Sequence, residues 1–122
     1  MDTQRMTATP YRSGQLLIIN LPQTDGSPGK LRPAMVISNH EFNGGEDITI
    51  VPLSGQLSES DRFAYPILKS YPYFTQTKLK FESAVKWSKP QTVTKDLVIR
   101  RLGTVPPEIL AEIIAKVKSI FS

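Results

Sequence analysis

The chain has 122 residues, the size of one ordinary domain and too short for two, with a net charge of +4 and no cysteine. The lack of cysteine excludes a disulfide framework and a thiolate metal site, and it agrees with a reducing, cytoplasmic setting. No stretch approaches the roughly 18 consecutive apolar residues of a membrane span, and the polar N-terminus holds no secretory-type segment, so a soluble protein with no membrane partner is expected.

Ten prolines and seven glycines are spread along the chain, which suits short strands and frequent turns better than a helical bundle. Residues 1–12 show no periodicity and read as a flexible tail ahead of a single domain over residues 13–122. After Gly14, the run from Gln15 through Leu16, Leu17, Ile18, Ile19 and Asn20 to Leu21 has the length and apolar content of a strand, and it stops at Pro22. A loop follows, Thr24-Asp25-Gly26-Ser27-Pro28-Gly29, and then Lys30-Leu31-Arg32-Pro33. A residue before proline is pushed out of the helical region, so Arg32 is extended. Ala34-Met35-Val36-Ile37 is apolar and partly β-branched, which predicts an interior strand over residues 33–39 with Arg32 held at its lip. Residues 40–45 read as a turn. Residues 47–53 form a third predicted strand, β-branched at Ile48, Thr49, Ile50 and Val51, and three such strands imply a mainly antiparallel sheet.

Residues 54–62 are a polar connection of the kind that often carries binding function. A fourth strand is expected over residues 63–68, with Pro66 marking an edge or a bulge. Residues 70–80 are aromatic and basic, with no assignable period. A fifth strand covers residues 83–87, a turn follows Lys89-Pro90, and residues 97–102 form either a strand or a helical turn. Pro106-Pro107-Glu108 is a helix start. Leu110, Ile113, Ile114, Val117, Ile120 and Phe121 then recur at helical spacing opposite Glu112, Lys116 and Lys118, so an amphipathic helix closes the chain against the sheet. Between residues 69 and 101 the cations Lys69, Lys78, Lys80, Lys86, Lys89, Lys95, Arg100 and Arg101 face only Glu82 and Asp96. Such a surplus fits RNA, DNA or an acidic protein, and equally a solvated basic face.

With these elements placed, the chain resembles the PemK/MazF family of bacterial toxins from roughly residue 13 to residue 121. The resemblance rests on Gly14-Gln15-Leu16-Leu17-Ile18-Ile19, the stretch 26–39 around Arg32-Pro33, Phe42-Asn43, Val51-Pro52-Leu53-Ser54, residues 83–93, and Arg100-Arg101-Leu102-Gly103 before the last helix. It implies an SH3-like small antiparallel β-barrel with a C-terminal amphipathic helix, usually a homodimer. It implies a sequence-selective endoribonuclease that cuts single-stranded RNA to 2′,3′-cyclic phosphate ends, needs no metal or other cofactor, and is neutralised by a cognate antitoxin protein. Arg32 stands at the family's catalytic arginine, and Ser54 where the family has a catalytic threonine or the neighbouring serine. The chain also departs from the pattern. Ser27 replaces a frequent Glu or His, Lys86-Trp87-Ser88 replaces Arg-x-Asp, and Lys89 and Gln91 replace a frequent Gln and Arg.

Metal-free cleavage by a 2′-hydroxyl needs a proton acceptor, a donor for the leaving oxygen and positive charge on the phosphorane. Arg32 offers forked donors for that charge, a geometry lysine lacks. Ser54 offers a hydroxyl for a phosphate oxygen or the 2′-hydroxyl. Asp25, in the loop before Arg32, is the carboxylate available as base, although Asp before Gly also forms turns. His40, the one histidine, lies at the far end of its strand from Arg32 and reads as a surface residue. Ser27, Lys30, Lys86, Ser88, Lys89 and Gln91 are the expected RNA-binding positions, with the lysines on phosphates. Tyr71, Tyr73, Phe74 and Trp87 suit base stacking or core packing. Trp87 alternates with Lys86 in a strand, which turns it to the core. The alternative reading is a module without catalysis on the same fold, binding RNA or, like a gyrase inhibitor, a protein.

Overall fold

The strands predicted in the first half of the chain all form in a computed structural model that describes residues 10–22 and 26–122. β1 (Gln15–Leu21), β2 (Lys30–Val36) and β3 (Asp47–Ser54) pair antiparallel in sequence order. β2 begins three residues before the expected start at Pro33 and ends at Val36, so Arg32 is an interior strand position and not a lip. Its extent follows from pairing with β1, which sets Leu21 opposite Lys30 and Ile19 opposite Arg32, rather than from where apolarity begins. Beyond it, Asn39 accepts the Phe42 N–H at 2.9 Å and caps α1 (His40–Asn43), where a turn was expected.

β4 (Tyr65–Ile67) is an edge strand, in keeping with Pro66. The unassigned aromatic stretch holds α2 (Phe74–Thr77), and β5 (Ser83–Val85) stops two residues short of the prediction. β6 (Gln91–Thr94) replaces the expected turn and pairs with the first half of β3. Both alternatives for residues 97–102 occur in succession, a 3-10 turn at Lys95–Leu97 and then β7 (Val98–Thr104). The strand order is β4-β5-β3-β2-β1-β7, with β6 also on β3. A single 3-10 turn joins β6 on β3 to β7 on β1, so the sheet bends to bring those ends together. No ladder joins β6 to β7 among the described residues. The expected barrel is thus an open, bent sheet, its last seam spanned by a turn instead of hydrogen bonds.

Both faces of the central strands are buried. Leu16, Met35, Val51 and Leu53 pack with Ile113 and Val117 of the last helix, α3 (Pro107–Ser119). Leu17, Ile19, Ala34, Val36, Ile48 and Ile50 point the other way, beneath Val93 and Val98. Successive strand side chains alternate between faces, so two covered faces require the near-continuous apolar runs of β1 and β3. α3 starts on Pro107 with Glu108 in its first turn and Lys116 and Lys118 in its last, the charge order its dipole favours. Ile120 and Phe121, expected to continue its apolar stripe, lie past the helix end and are exposed.

Gly14, at φ 89°, ties the end of β2 to the residue after β7, since its N–H donates to Val36 O at 2.8 Å and its carbonyl accepts from Val105 N at 3.0 Å. Of the tail expected over residues 1–12, residues 1–9 lie outside the described residues. Tyr11 lies beneath the Arg101 guanidinium, 4.0 Å from its ring centre, and its carbonyl accepts from Asn43 Nδ2 at 3.0 Å. No helix among the described residues is long and apolar enough to cross a membrane.

Candidate active site

The site is built by register on β3. Ala34 pairs with Pro52, Met35 with Val51 and Val36 with Ile50. The ladder ends at Ala34 and Pro52, and two residues further along each strand, on the same face by alternation, come Arg32 and Ser54. On the other side of β3, Ile50 pairs with Gln91, and the Lys86 N–H donates to Pro52 O at 2.8 Å. β3 therefore changes partner at its middle, with β6 along Asp47 to Ile50 and β5 at Leu53 and Ser54. Pro52 sits at the change and has no N–H to give a ladder. The chain between β5 and β6 leaves the sheet there, and a cleft opens over the face shared by Arg32 and Ser54.

That cleft has a volume of about 410 Å³ and is lined by Arg32, Ser54, Gln56, Lys86, Lys89 and Gln91 over a floor of Leu21, Pro22, Pro52 and Leu53. Among the described residues its charged lining is wholly cationic. Arg32 is half-buried and makes no ion pair among the described residues. The Ser54 Oγ accepts the Gln56 N–H at 3.1 Å, which orients the hydroxyl while its proton stays available to a ligand. Lys86 Nζ is paired with the Asp61 carboxylate, which arrives from the β3–β4 connection. The hydrogen bond from Lys86, followed by that from the Phe63 N–H at 2.9 Å, holds the Asp61 carboxyl below its ordinary value of 3.8. A depressed carboxyl keeps the pair through neutral and mildly acidic pH, and the pair is lost only as pH falls through that lowered value.

Of the residues singled out in the sequence, Arg32, Ser54, Lys86, Lys89 and Gln91 thus meet at one cleft. Lys30 is exposed at the start of β2 and Ser27 is exposed in the loop before it, and neither lines the cleft. Ser88 is half-buried in the turn closed by Lys89 N donating to Lys86 O at 3.1 Å. Asp25 lies outside the described residues. His40 is exposed at the start of α1, beyond the opposite end of β2. Trp87 is buried against Val85 and Ile113 in the core cluster, with Tyr73 and Phe74 packed on it. Sequence reasoning missed Leu21, Pro22, Pro52 and Gln56, and it missed Asp61, whose place beside Lys86 no spacing signals. The arrangement suits a phosphodiester, with a guanidinium fork and a hydroxyl lining one cleft beside two lysines.

Residues 12–121 match the family of PemK-like, MazF-like toxins of type II toxin-antitoxin systems. Three solved structures share the fold. MazF from Deinococcus radiodurans is 20% identical, with a TM-score of 0.74 over 93% of this chain and 98% of its own. An endoribonuclease from Mycobacterial species, in complex with its cognate antitoxin, is 18% identical, with a TM-score of 0.68 over 93% and 95%. The Mycobacterium tuberculosis toxin MazF-mt6 is 16% identical, with a TM-score of 0.67 over 88% and 95%. No curated protein sequence matches. Matched over nearly its whole length, with an antiparallel sheet and closing helix like those of MazF structures, the chain belongs to the PemK-like, MazF-like family of toxins.

Proposed function

We propose that this chain is the toxin of a type II toxin–antitoxin pair, a cytoplasmic homodimer that cuts single-stranded RNA sequence-selectively without a metal and is held inactive by a cognate antitoxin. The supporting observation is the cationic cleft that Arg32 and Ser54, from neighbouring strands, both line. A similar fold solved as an endoribonuclease with its antitoxin supports the partner. In this reading Arg32 stabilises the phosphorane, Ser54 donates to a phosphate oxygen, and Lys86 and Lys89 track the backbone. Ser27, Lys30, Ser88 and Gln91 contact flanking nucleotides, and Asp25 takes the 2′-hydroxyl proton. The test is incubation of purified protein with single-stranded RNA in EDTA, followed by mapping of new 5′ ends. Cuts at a short recurring sequence, leaving 2′,3′-cyclic phosphates, are expected, and RNA left intact overturns the proposal.

Two variants probe the division of labour. Ser54→Ala is expected to slow cleavage about 100-fold, the cost of one donor aimed at developing charge, while Ser54→Thr keeps most of the rate. Lys89→Gln is expected to weaken RNA binding evenly across sequences and to flatten the plot of log affinity against log salt by about 0.7, one phosphate contact on a single strand. Filter binding at several salt concentrations reads the slope, and an unchanged slope removes Lys89 from the phosphate track.

A second reading has its own observation, for no carboxylate or histidine lines the cleft among the described residues. A toxin that binds RNA or protein without cutting would arrest growth as Arg32→Ala while cellular RNA stays whole.

A further inference from the structure

The β3–β4 connection is gripped at two points by consecutive residues, Lys86 of the cleft wall and Trp87 of the core. Asp61 Oδ2 is paired with Lys86 Nζ, and the Phe63 ring meets the ring of buried Trp87 edge-on at 5.4 Å between centroids. The Asp61 side chain is itself held, because Oδ1 accepts the Phe63 N–H at 2.9 Å. Lys86 lines the cleft beside Ser54, whereas Asp61 lines the neighbouring hollow with Ser58, Glu59 and Pro66. The ammonium thus stands on the partition between the two. It has three N–H donors, and with one taken by Asp61 two remain for a phosphate on the cleft side. A lysine side chain has four rotatable bonds, so a fixed carboxylate behind it removes freedom that phosphate binding would otherwise have to freeze out.

From this geometry we infer that Asp61 is a positioning residue. It pins Lys86 to the wall of the cleft and fastens the 55–62 loop over that wall, so the ammonium is already in place when the scissile phosphate meets Arg32 and Ser54. The inference rests on the nuclease reading above and adds a residue to it. It also fixes the sign of an unusual effect. Deleting the Asp61 charge makes the wall more cationic, which favours RNA binding, while a loosened Lys86 holds the scissile phosphate less firmly against Arg32 and Ser54, and small misplacements of the reacting group cost rate steeply.

The test is a cycle of Asp61→Asn, Lys86→Gln and the double variant. Asparagine keeps the oxygen that accepts from Phe63 N–H, so Asp61→Asn removes the ion pair alone. Under steady-state RNA cleavage, Asp61→Asn is expected to lower kcat about tenfold without raising KM, and to lower kcat no further on the Lys86→Gln background. Trypsin supplies a readout that needs no RNA, because Arg62 lies in the exposed loop next to Asp61. Cutting after Arg62 is expected to accelerate several-fold in either single variant and no further in the double. Equal kcat in parent and Asp61→Asn, or additive losses in the double variant, overturns the positioning role while leaving the nuclease reading intact. Unchanged tryptic cutting overturns the loop fastening. A parent that cuts no RNA overturns the nuclease reading and the positioning role together.

Discussion

Arg32→Ala and Arg32→Lys are both expected to fold as the parent does and to lose RNA cleavage by about 10³-fold or more, the range over which an arginine acts on a phosphoryl transition state. Arg32 is half-buried in β2 opposite Ile19, and its strand is held by backbone ladders to β1 and β3 that its side chain does not join. Truncation therefore removes charge without opening a core cavity. The lysine variant carries the sharper argument. It restores the positive charge and nearly the reach, but a compact ammonium cannot present two parallel N–H donors to two phosphoryl oxygens. If charge density alone drove catalysis, lysine would recover most of the rate; if forked geometry does, it will resemble alanine. Single-turnover cleavage with thermal unfolding as the folding control separates the outcomes, and near-parental rates for a folded Arg32→Ala would remove the cleft from the chemistry.

Arg32, Ser54, Lys86, Lys89 and Gln91 of that cleft were legible one by one, but the strand register that joins them was not. Arg32 stood out through its proline and the apolar run behind it, and Ser54 through the resemblance that sets it where the family has a catalytic threonine. What brings them to one cleft is the register of β2 on β3, and that depends on how the chain between them folds. There a helix capped by Asn39 took the place of a simple turn, so no local rule set the offset. Asp61 was less legible still. It is 25 residues from Lys86 in a serine-rich connection, and only the folded chain shows that a carboxylate stands behind the lysine.

The fold divides along the same physical line. β1, β3 and α3 buy their place with their own side chains, two-sided burial for the strands and one apolar stripe for the helix, so their periods show in the sequence. β6 contains a single half-buried apolar residue, Val93, among Gln91, Thr92 and Thr94, and it is a strand because the free edge of β3 accepts its backbone. Trp87 was readable from its alternation with Lys86, and it is buried as that alternation requires even though the ladder stops at Val85. α2 had no readable period because it is placed by backbone contact.

That contact makes Gly103→Ala the substitution with the largest expected cost to stability. Gly103 lies in β7, and a β-carbon there would stand 1.9 Å from the Gln76 carbonyl oxygen and 2.8 Å from the Thr77 carbonyl carbon, both backbone atoms of α2. No side-chain rotation relieves such an overlap, so the helix must move off the strand by more than an ångström. α2 is not free to move alone. The buried Thr77 donates to Phe74 O at 2.6 Å, Gln76 Nε2 donates to Thr104 Oγ1 at 3.1 Å, and Phe74 and Leu79 on either side pack on the main core. Lifting the helix disturbs all of these, and a loss of about 3 kcal/mol is expected, the upper end of ordinary overpacking. For a chain of this size that lowers Tm by roughly 10 °C. Gly55→Ala is the control, since a β-carbon there meets nothing within 4 Å among the described residues and Tm should hold. The two measurements also separate fold from site. Gly103 and α2 contribute nothing to the lining of the Arg32 cleft, so at a temperature where the Gly103→Ala protein is still folded its RNA cleavage per folded molecule should match the parent. A Tm within a degree or two of the parent would mean that α2 is not seated on β7 through this glycine, and cleavage lost at that temperature would mean that the two regions are coupled.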